Sequence, residues 1–154
     1  MRGDYHTHST LDDGKNSLEE MAAAARAAGL THFGFSGHSY CPLEEDYCIP
    51  REKIPEYLAR ARAVQARYAG EMEVFVGLEL DLLGERPEGL DYAIGSVHTI
   101  CGGDGRHFAV DESPETARQC VEEFFGGDWY RYTDAYYDQV ALLPERTGCD
   151  WIGH

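Results

Sequence analysis

The sequence predicts an α/β fold of about five mostly parallel strands with helices, and three observations support this prediction. Segments rich in β-branched and aromatic residues alternate with helix-forming segments along the chain, a pattern typical of parallel sheets covered by helices. The length of 154 residues is typical of one domain, and no low-complexity linker divides it. Hydrophobic residues make up 43% of the chain, which is enough to form a core.

The first half of the chain contains two strand signals and two helix signals. A possible first strand ends at "DYHTH", and Ser17 and Glu20 then form a capping box that opens the helix-forming stretch "MAAAARAAG". Gly29 fits the position just after the end of that helix. The apolar stretch "THFGFSGH" predicts a second strand, and Pro55 begins a helix over about residues 55–69.

The second half continues the alternation. "MEVFVGLELD" is the clearest strand of the chain, and "LDYAIGSVH" predicts another. Ser113 caps a helix that continues through Phe125, and a second helix covers "WYRYTDAYYDQVALL". "CDWIGH" predicts a fifth strand. No helix follows it, so we expect the chain to be part of a longer protein.

The charge of the chain narrows the classes of function. The formal net charge is −15, whereas binding to duplex nucleic acid normally requires clustered lysine and arginine. We therefore expect no nucleic-acid partner, and the same charge would be repelled by an anionic membrane surface. No apolar run approaches the roughly 20 residues that a membrane span requires. An anionic substrate would have to be attracted by something else, such as bound divalent metal ions.

The cysteines favour a reducing compartment. The five cysteines are odd in number and include no CxxC pair, and no signal segment precedes Asp4. We therefore expect reduced thiols in a cytoplasmic protein rather than a disulfide scaffold.

Histidines and carboxylates stand at the ends of all five predicted strands. In parallel α/β barrels the carboxyl ends of the strands converge on one face. Imidazole nitrogens and carboxylate oxygens are standard ligands of zinc, manganese and iron, so the sequence predicts a multinuclear metal site. The five endings are His6-Thr7-His8, Gly37-His38, Leu78-Glu79-Leu80-Asp81, Ser96-Val97-His98 and Gly153-His154.

The metal prediction depends on the coincidence of these endings. A single histidine at a strand end is more often a hydrogen-bonded structural residue. His6 and His8 strengthen the metal interpretation because alternate strand residues project to the same side. Glu79 lies within an apolar strand, where an unpaired carboxylate is costly to bury and where coordination would relieve that cost.

Three basic residues are candidate contacts for an anionic substrate. Arg106 and His107 lie in a Gly-rich stretch, and Lys15 follows the first acidic turn. For each of them a solvated turn or loop is the alternative interpretation.

Taken in order, the motifs "DYHTHS", "DDGKNSLEEM", "GFSGHS", "VGLELD", "IGSVH" and "DWIGH" resemble those of the PHP (polymerase and histidinol phosphatase) superfamily. Within it, the chain looks most like the monofunctional histidinol-phosphate phosphatases. The resemblance implies a distorted (βα)7 barrel with its metal site at the carboxyl ends of the strands. Residues 1–154 would form a single PHP domain that holds about five of the strands and is incomplete at its C-terminus.

The resemblance also implies two or three divalent metal ions, which would be zinc, iron or manganese. Seven of the nine ligands that the family uses have counterparts in this sequence, and the pattern implies a late Asp and His pair beyond them. By resemblance, His6 and His8 would bind the first ion, Glu79 would bridge it to the second, His98 and His154 would complete the second, and Asp13 and His38 would hold the third.

The activity implied is hydrolysis of L-histidinol phosphate to L-histidinol and phosphate in histidine biosynthesis, with a small phosphorylated substrate as the partner. Two alternatives stay open. One is another PHP-type phosphoesterase that acts on nucleotides, sugar phosphates or phosphotyrosine, and the other is a catalytically silent metal-binding fragment. An open barrel edge would expose apolar strands, so self-association through that edge is also expected.

Overall fold

The computed structural model describes residues 2–43, 46–102 and 104–154, and a five-stranded parallel sheet lies at its centre. Each neighbouring pair of strands is parallel, which confirms the predicted α/β class with about five parallel strands. That residues 1–154 form a single domain stays a prediction. In spatial order the strands are β1 (Gly3–Asp4), β2 (His32–Phe35), β3 (Glu73–Asp81), β4 (Tyr92–Ser96) and β7 (Trp151–Ile152).

The sheet is strongly curled. In a flat sheet the outer strands β1 and β7 would lie about 19 Å apart, at about 4.8 Å for each step between strands. Instead, the rings of Tyr5 and Trp151 pack edge to face with centroids 5.4 Å apart. The sheet therefore forms part of a barrel wall, and the residues that follow its outermost strands come close together.

Two helices cover the outer side of the first strands. Helix α1 (Leu18–Ala27) begins with the predicted capping box, in which Ser17 accepts a hydrogen bond from the backbone N–H of Glu20 and the Glu20 carboxylate accepts one from the N–H of Ser17. A short 3-10 turn (Arg51–Lys53) leads into helix α2 (Ile54–Arg67). The buried residues of α2 recur at helical spacing, so one face packs on the core; they are Ile54, Tyr57, Ala61 and Val64.

The segment between β4 and β7 holds three helices and a hairpin. Helix α3 (Pro114–Phe125) begins at the predicted cap Ser113. The single helix predicted over residues 129–143 is wrong: α4 (Trp129–Val140) ends early, and a separate helix α5 (Leu143–Thr147) follows. Pro144 lies in the first turn of α5, where its missing N–H costs nothing, whereas it would disrupt the middle of a continuous helix.

The Gly-rich stretch after β4 is a hairpin rather than an open loop. Strands β5 (Thr99–Cys101) and β6 (His107–Ala109) pair in antiparallel fashion. The N–H of Gly102 donates to the carbonyl oxygen of Arg106 and closes the turn. His107 therefore stands on a strand, beside the carboxyl end of the main sheet.

Tyr92 links three strands inside the curl. Its hydroxyl is shared between the carbonyl oxygens of Tyr5, at 2.7 Å, and Phe35, at 2.9 Å. The ring has room because Gly34 and Gly77 face it without a Cβ. Tyr92 therefore holds the carboxyl ends of β1 and β2 at a fixed distance from β4.

No helix in the described ranges is long and apolar enough to cross a membrane.

We expect Gly77→Ala to lower the free energy of unfolding by about 1–3 kcal/mol, the usual cost of overpacking a core. The added Cβ would lie 2.5 Å from the Tyr92 ring, so the ring or the strand must move. Urea denaturation measures the change. Gly89→Ala is the control, because its Cβ would meet nothing within 4 Å and its cost comes only from the positive φ of 86°. A Gly77→Ala protein as stable as the wild type would contradict the packing.

Candidate metal centre

Glu79 stands at the centre of the predicted site. It lies on β3, is 1% exposed, and neither carboxylate oxygen accepts a well-formed hydrogen bond from any described residue. Five imidazoles nevertheless face these two oxygens at 3.0–3.5 Å, and each comes from a strand end. The facing nitrogens belong to His6 at 3.0 Å, His8 at 3.5 Å, His38 at 3.3 Å, His98 at 3.5 Å and His154 at 3.3 Å.

The register of the parallel strands brings these side chains together. The backbone of Glu79 pairs with the chain after β2, because its N–H donates to Gly37 and its carbonyl accepts from Ser39. This pairing sets His38 directly beside Glu79. At the opposite edge of the sheet, just beyond β4 and β7, the N–H of Val97 donates to the carbonyl oxygen of His154 at 2.9 Å.

Glu79 and the five histidines that face it form a cage of side chains whose charges are strongly coupled. Burial would raise the pKa of Glu79, but the imidazoles of His154, His6 and His98 outweigh it and hold the pKa well below its usual range. Burial lowers the pKa of His98, yet its contacts with Asp81 and Glu79 raise that pKa to about 9. The cage therefore attracts positive charge to an ionised, buried carboxylate.

A second carboxylate orients one of the histidines. Asp12 Oδ2 lies 2.7 Å from Nδ1 of His8 and accepts the N–H of His38 at 3.2 Å, while Oδ1 accepts the N–H of Ser9 at 2.8 Å. Burial would raise the pKa of Asp12, but these partners lower it. Because Nδ1 of His8 is occupied by Asp12, Nε2 is the nitrogen that faces Glu79.

Asp12 is the functional residue that the sequence prediction missed, since only its neighbour Asp13 was named. Asp13 lies further out, 3.6 Å from Nδ1 of His8 and 3.9 Å from Nε2 of His38, with a half-exposed side chain. A signal for Asp12 exists in "STLD", residues 9–12. An acidic residue three positions after a serine commonly turns back to accept that serine's N–H, as in a capping box.

The donor set fits divalent metal ions. Imidazoles and carboxylates are the ligands that zinc, iron and manganese accept, and a buried carboxylate without hydrogen bonds is costly unless a cation compensates it. Within each of three groups the potential ligand atoms lie within 4.8 Å of one another. The groups are His8, Asp12, Asp13 and His38; His6, Glu79 and His154; and His38, Glu79 and His98.

This grouping overlaps only partly with the pairing that the resemblance implies. The resemblance pairs His98 with His154, whereas the distances group His154 with His6 and His98 with His38, in each case together with Glu79. All seven predicted ligands lie within this one neighbourhood. Their division among individual ions stays a prediction.

A pocket of about 610 Å³ opens beside His38 and His98. The hairpin and α3 form its outer wall, and Asp13 lies at its edge. His107, one of the three predicted substrate contacts, lines this pocket together with Phe108, Asp111, Glu112, Thr116 and Gln119.

The other two predicted substrate contacts are not among the pocket-lining residues. Arg106 forms ion pairs with Asp104 at 2.7 Å and Glu123 at 2.6 Å, and it stacks on Phe108 and Phe124. Its charge is therefore already compensated by these two carboxylates. Lys15 is exposed after the acidic turn.

Comparison with known proteins identifies relatives along nearly the whole chain. A family model described as the PHP domain matches residues 4–150. A protein described as "Probable histidinol-phosphatase" from Deinococcus radiodurans is 34% identical over 166 residues, which cover 98% of this chain and 59% of the relative. The chain thus spans about three fifths of the length of that curated relative.

Two solved structures share the fold. A proposed histidinol phosphatase from Listeria monocytogenes has a TM-score of 0.76 at 18% identity and covers 92% of this chain and 60% of its own. The histidinol phosphate phosphatase of Lactococcus lactis, solved with zinc, L-histidinol and phosphate, has a TM-score of 0.61 at 22% identity and covers 99% of this chain and 57% of its own. At these identities the likeness shows the fold alone.

We expect Asp12→Asn to lower the free energy of unfolding of the metal-free protein by about 1–3 kcal/mol. The change weakens the charge-assisted hydrogen bonds of a buried carboxylate. Asp13→Asn is the matched control and should change stability by less than about 0.5 kcal/mol, because its side chain is 51% exposed. Denaturant titration of both variants measures the difference. Equal effects would contradict the distinct roles of these neighbours.

Proposed function

This chain belongs to the PHP domain family, and we propose on that premise that it serves metal-dependent hydrolysis of L-histidinol phosphate to L-histidinol and phosphate. The observation that carries the proposal is the buried Glu79 carboxylate, whose oxygens face five imidazoles within 3.5 Å. The relative described as a histidinol-phosphatase supports the choice of substrate. Such an activity belongs to histidine biosynthesis.

In this proposal two or three divalent ions are held around Glu79. Bound there, they would lower the pKa of a water molecule and neutralise charge on the phosphate. The ligands that we assign to the ions are the seven predicted ones: His6, His8, Asp13, His38, Glu79, His98 and His154.

Two neighbouring carboxylates orient the imidazoles of His8 and His98 for metal binding. Asp12 occupies Nδ1 of His8, and Asp81 lies 3.4 Å from Nδ1 of His98. In both histidines the opposite nitrogen, Nε2, is left facing Glu79. Carboxylates that hold the outer nitrogen of a ligand histidine fix its tautomer and orientation and raise its basicity.

The pocket beside this cage would take the organic part of the substrate. Asp111 and Glu112 lie on its outer wall, and no cationic side chain among the described residues forms an ion pair with either of them. A substrate with a positively charged amino group, such as L-histidinol phosphate, is complementary to such a wall. A nucleotide would bring further negative charge against it, so the wall favours histidinol phosphate over that alternative.

The predicted basic contacts contribute unequally to this proposal. His107 lines the pocket, and we assign it a contact with the substrate. Arg106 receives no such role because its ion pairs with Asp104 and Glu123 already occupy it. Lys15 is retained only as a candidate for phosphate at the outer edge of the site.

The cytoplasmic location and the self-association also stay predictions. All five cysteines lie within the described residues and none of them forms a disulfide there, in keeping with a reducing compartment. Trp151 and Ile152 on the edge strand β7 are 47% and 51% exposed. An exposed apolar edge strand supports association through that edge.

We expect Glu79→Gln to lose bound metal and to lower kcat/KM for phosphate release from L-histidinol phosphate by about 100-fold or more. Metal held by Glu79 would contribute several kcal/mol of transition-state stabilisation, and about 1.4 kcal/mol corresponds to a factor of ten. Elemental analysis after dialysis against zinc and a phosphate-release assay measure both effects.

Glu73→Gln is the matched control for that experiment. Glu73 lies at the start of the same strand, with its side chain 72% exposed and far from the cage, so metal content and activity should be unchanged. Metal-free protein that keeps full activity would contradict the proposed mechanism.

We expect the double substitution Asp111→Asn and Glu112→Gln to raise KM for L-histidinol phosphate about fivefold, with little change in p-nitrophenyl phosphate hydrolysis. Exposed ion pairs contribute about 0.2–1 kcal/mol each, and only the first substrate carries an amino group. Steady-state kinetics with both substrates measure the split. The double variant Glu115→Gln and Glu122→Gln removes the same charge from exposed positions of α3 and should affect neither substrate. Equal losses on both substrates would contradict recognition of the amino group.

A further inference from the structure

An arginine and aspartate pair recurs at the start of two neighbouring strands. Before β4, Asp91 Oδ2 accepts the N–H of Val76 on β3 at 2.8 Å and pairs with Arg62 at 2.7 Å. The second guanidinium nitrogen of Arg62 donates to the carbonyl oxygen of Gly89 at 2.6 Å. The carboxylate thus binds the β3 N–H next to the point where the pairing with β4 begins, a contact that we call a carboxylate cap, while the arginine ties it to the preceding turn.

The same arrangement occurs before β7. Asp150 Oδ2 accepts the N–H of Ala93 on β4 at 2.8 Å and pairs with Arg86 at 2.9 Å. Arg86 also donates to the carbonyl oxygen of Gly148. The sequences "GLDY" and "GCDW" share the glycine, the aspartate and a following aromatic residue, and both glycines have positive φ, 86° and 64°.

The Arg86–Asp150 pair has more influence on β7 than the Arg62–Asp91 pair has on β4. Strand β4 is five residues long and fully buried, whereas β7 consists of only Trp151 and Ile152, both half exposed. The Trp151 ring packs against the rings of Tyr5 and Tyr92, but a ring contact on a half-exposed strand does not by itself specify which backbone groups pair. A shift of one residue in its pairing would turn every following side chain to the opposite face.

The register of β7 decides where His154 lies. From Asp150, the chain continues with Gly153 donating to the carbonyl oxygen of Gly95 at 2.9 Å and His154 accepting from Val97 at 2.9 Å. At that point Nε2 of His154 is 3.3 Å from Glu79 Oε1. The imidazole thus reaches the cage only when the strand is anchored in this register.

We propose that Arg86 and Asp150 are positioning residues whose ion pair fixes the register of β7 and thereby holds the His154 imidazole against Glu79. The inference rests on the proposed function only in that His154 is taken as a metal ligand. Neither residue is among the groups that could themselves hold a metal ion in the described part of the chain. Their effect on the site is therefore exerted through His154.

The first test uses metal-free protein and NMR. In the wild type, the rings of His154 and His98 have centroids 5.1 Å apart, which should give nuclear Overhauser contacts between them. We expect Asp150→Asn to lose these contacts and to speed amide exchange at Gly153 at least tenfold. Arg86→Met, which leaves the carboxylate cap on Ala93 intact, should act in the same direction and guards against a variant that fails to fold.

Asp91→Asn is the matched control because it removes the same kind of carboxylate cap from the neighbouring pair. It should leave exchange at Gly153 unchanged, since that amide bonds to β4 rather than β3. Unchanged ring contacts in both Asp150→Asn and Arg86→Met would overturn the proposal.

The second test is a double-mutant cycle on zinc affinity. We expect Asp150→Asn to weaken zinc binding about tenfold, within the range found for residues that orient metal ligands. In a His154→Ala background the same substitution should change affinity less than twofold, because Asp150 acts through His154. Independent, multiplying losses would overturn the positioning role. A wild type that binds none of zinc, iron and manganese would refute the proposed function, while the NMR experiment still decides the register.

Discussion

The buried carboxylate of Glu79 is the constraint on which the rest of the site depends. A carboxylate that is almost fully buried and accepts no well-formed hydrogen bond from the described residues is strongly destabilising unless positive charge lies close to it. The protein supplies five imidazoles at 3.0–3.5 Å. Imidazoles compensate this charge either by taking up protons or by sharing a cation. A centre that is stable both with protonated imidazoles and with a shared cation is well suited to bind divalent metal, because ligand histidines must give up protons when the metal binds.

The backbone around Glu79 is organised to keep these groups in place. Tyr92 crosses the inside of the curled sheet and joins the carbonyl oxygens that precede His6 and the segment leading to His38. Its ring fits only because two strand residues opposite it are glycines. The aspartates before β4 and β7 accept the N–H groups of Val76 and Ala93 on the neighbouring strands, and the pair before β7 fixes the register of that strand. Five short segments thus meet at one point without any long-range covalent link.

The net negative charge of the chain bears on which substrates can approach this site. With a net charge of −15, the surface as a whole repels anions, and an anionic phosphate would approach only where bound cations reverse the sign of the field. The acidic outer wall at Asp111 and Glu112 would then favour substrates that carry their positive charge away from the phosphate. A site with cations at one end and carboxylates at the other is complementary to an amino-alcohol phosphate.

The sequence by itself determined the α/β class, the position of Glu79 on β3, the strand that each predicted histidine ligand follows, and the capping of α1. These features follow from local patterns, and parallel strands bring their carboxyl ends together whatever the details of the connections. Tertiary structure alone decided that Asp12 rather than Asp13 is the buried partner of His8, that Arg106 is occupied by Asp104 and Glu123, and that residues 99–109 form a hairpin. Each of these depends on which groups meet after the chain has folded. Local sequence contains only part of that information: the spacing of Ser9 and Asp12 indicates a turn, whereas the contacts of Asp12 with His8 and His38 form only when this turn lies against the neighbouring strand ends.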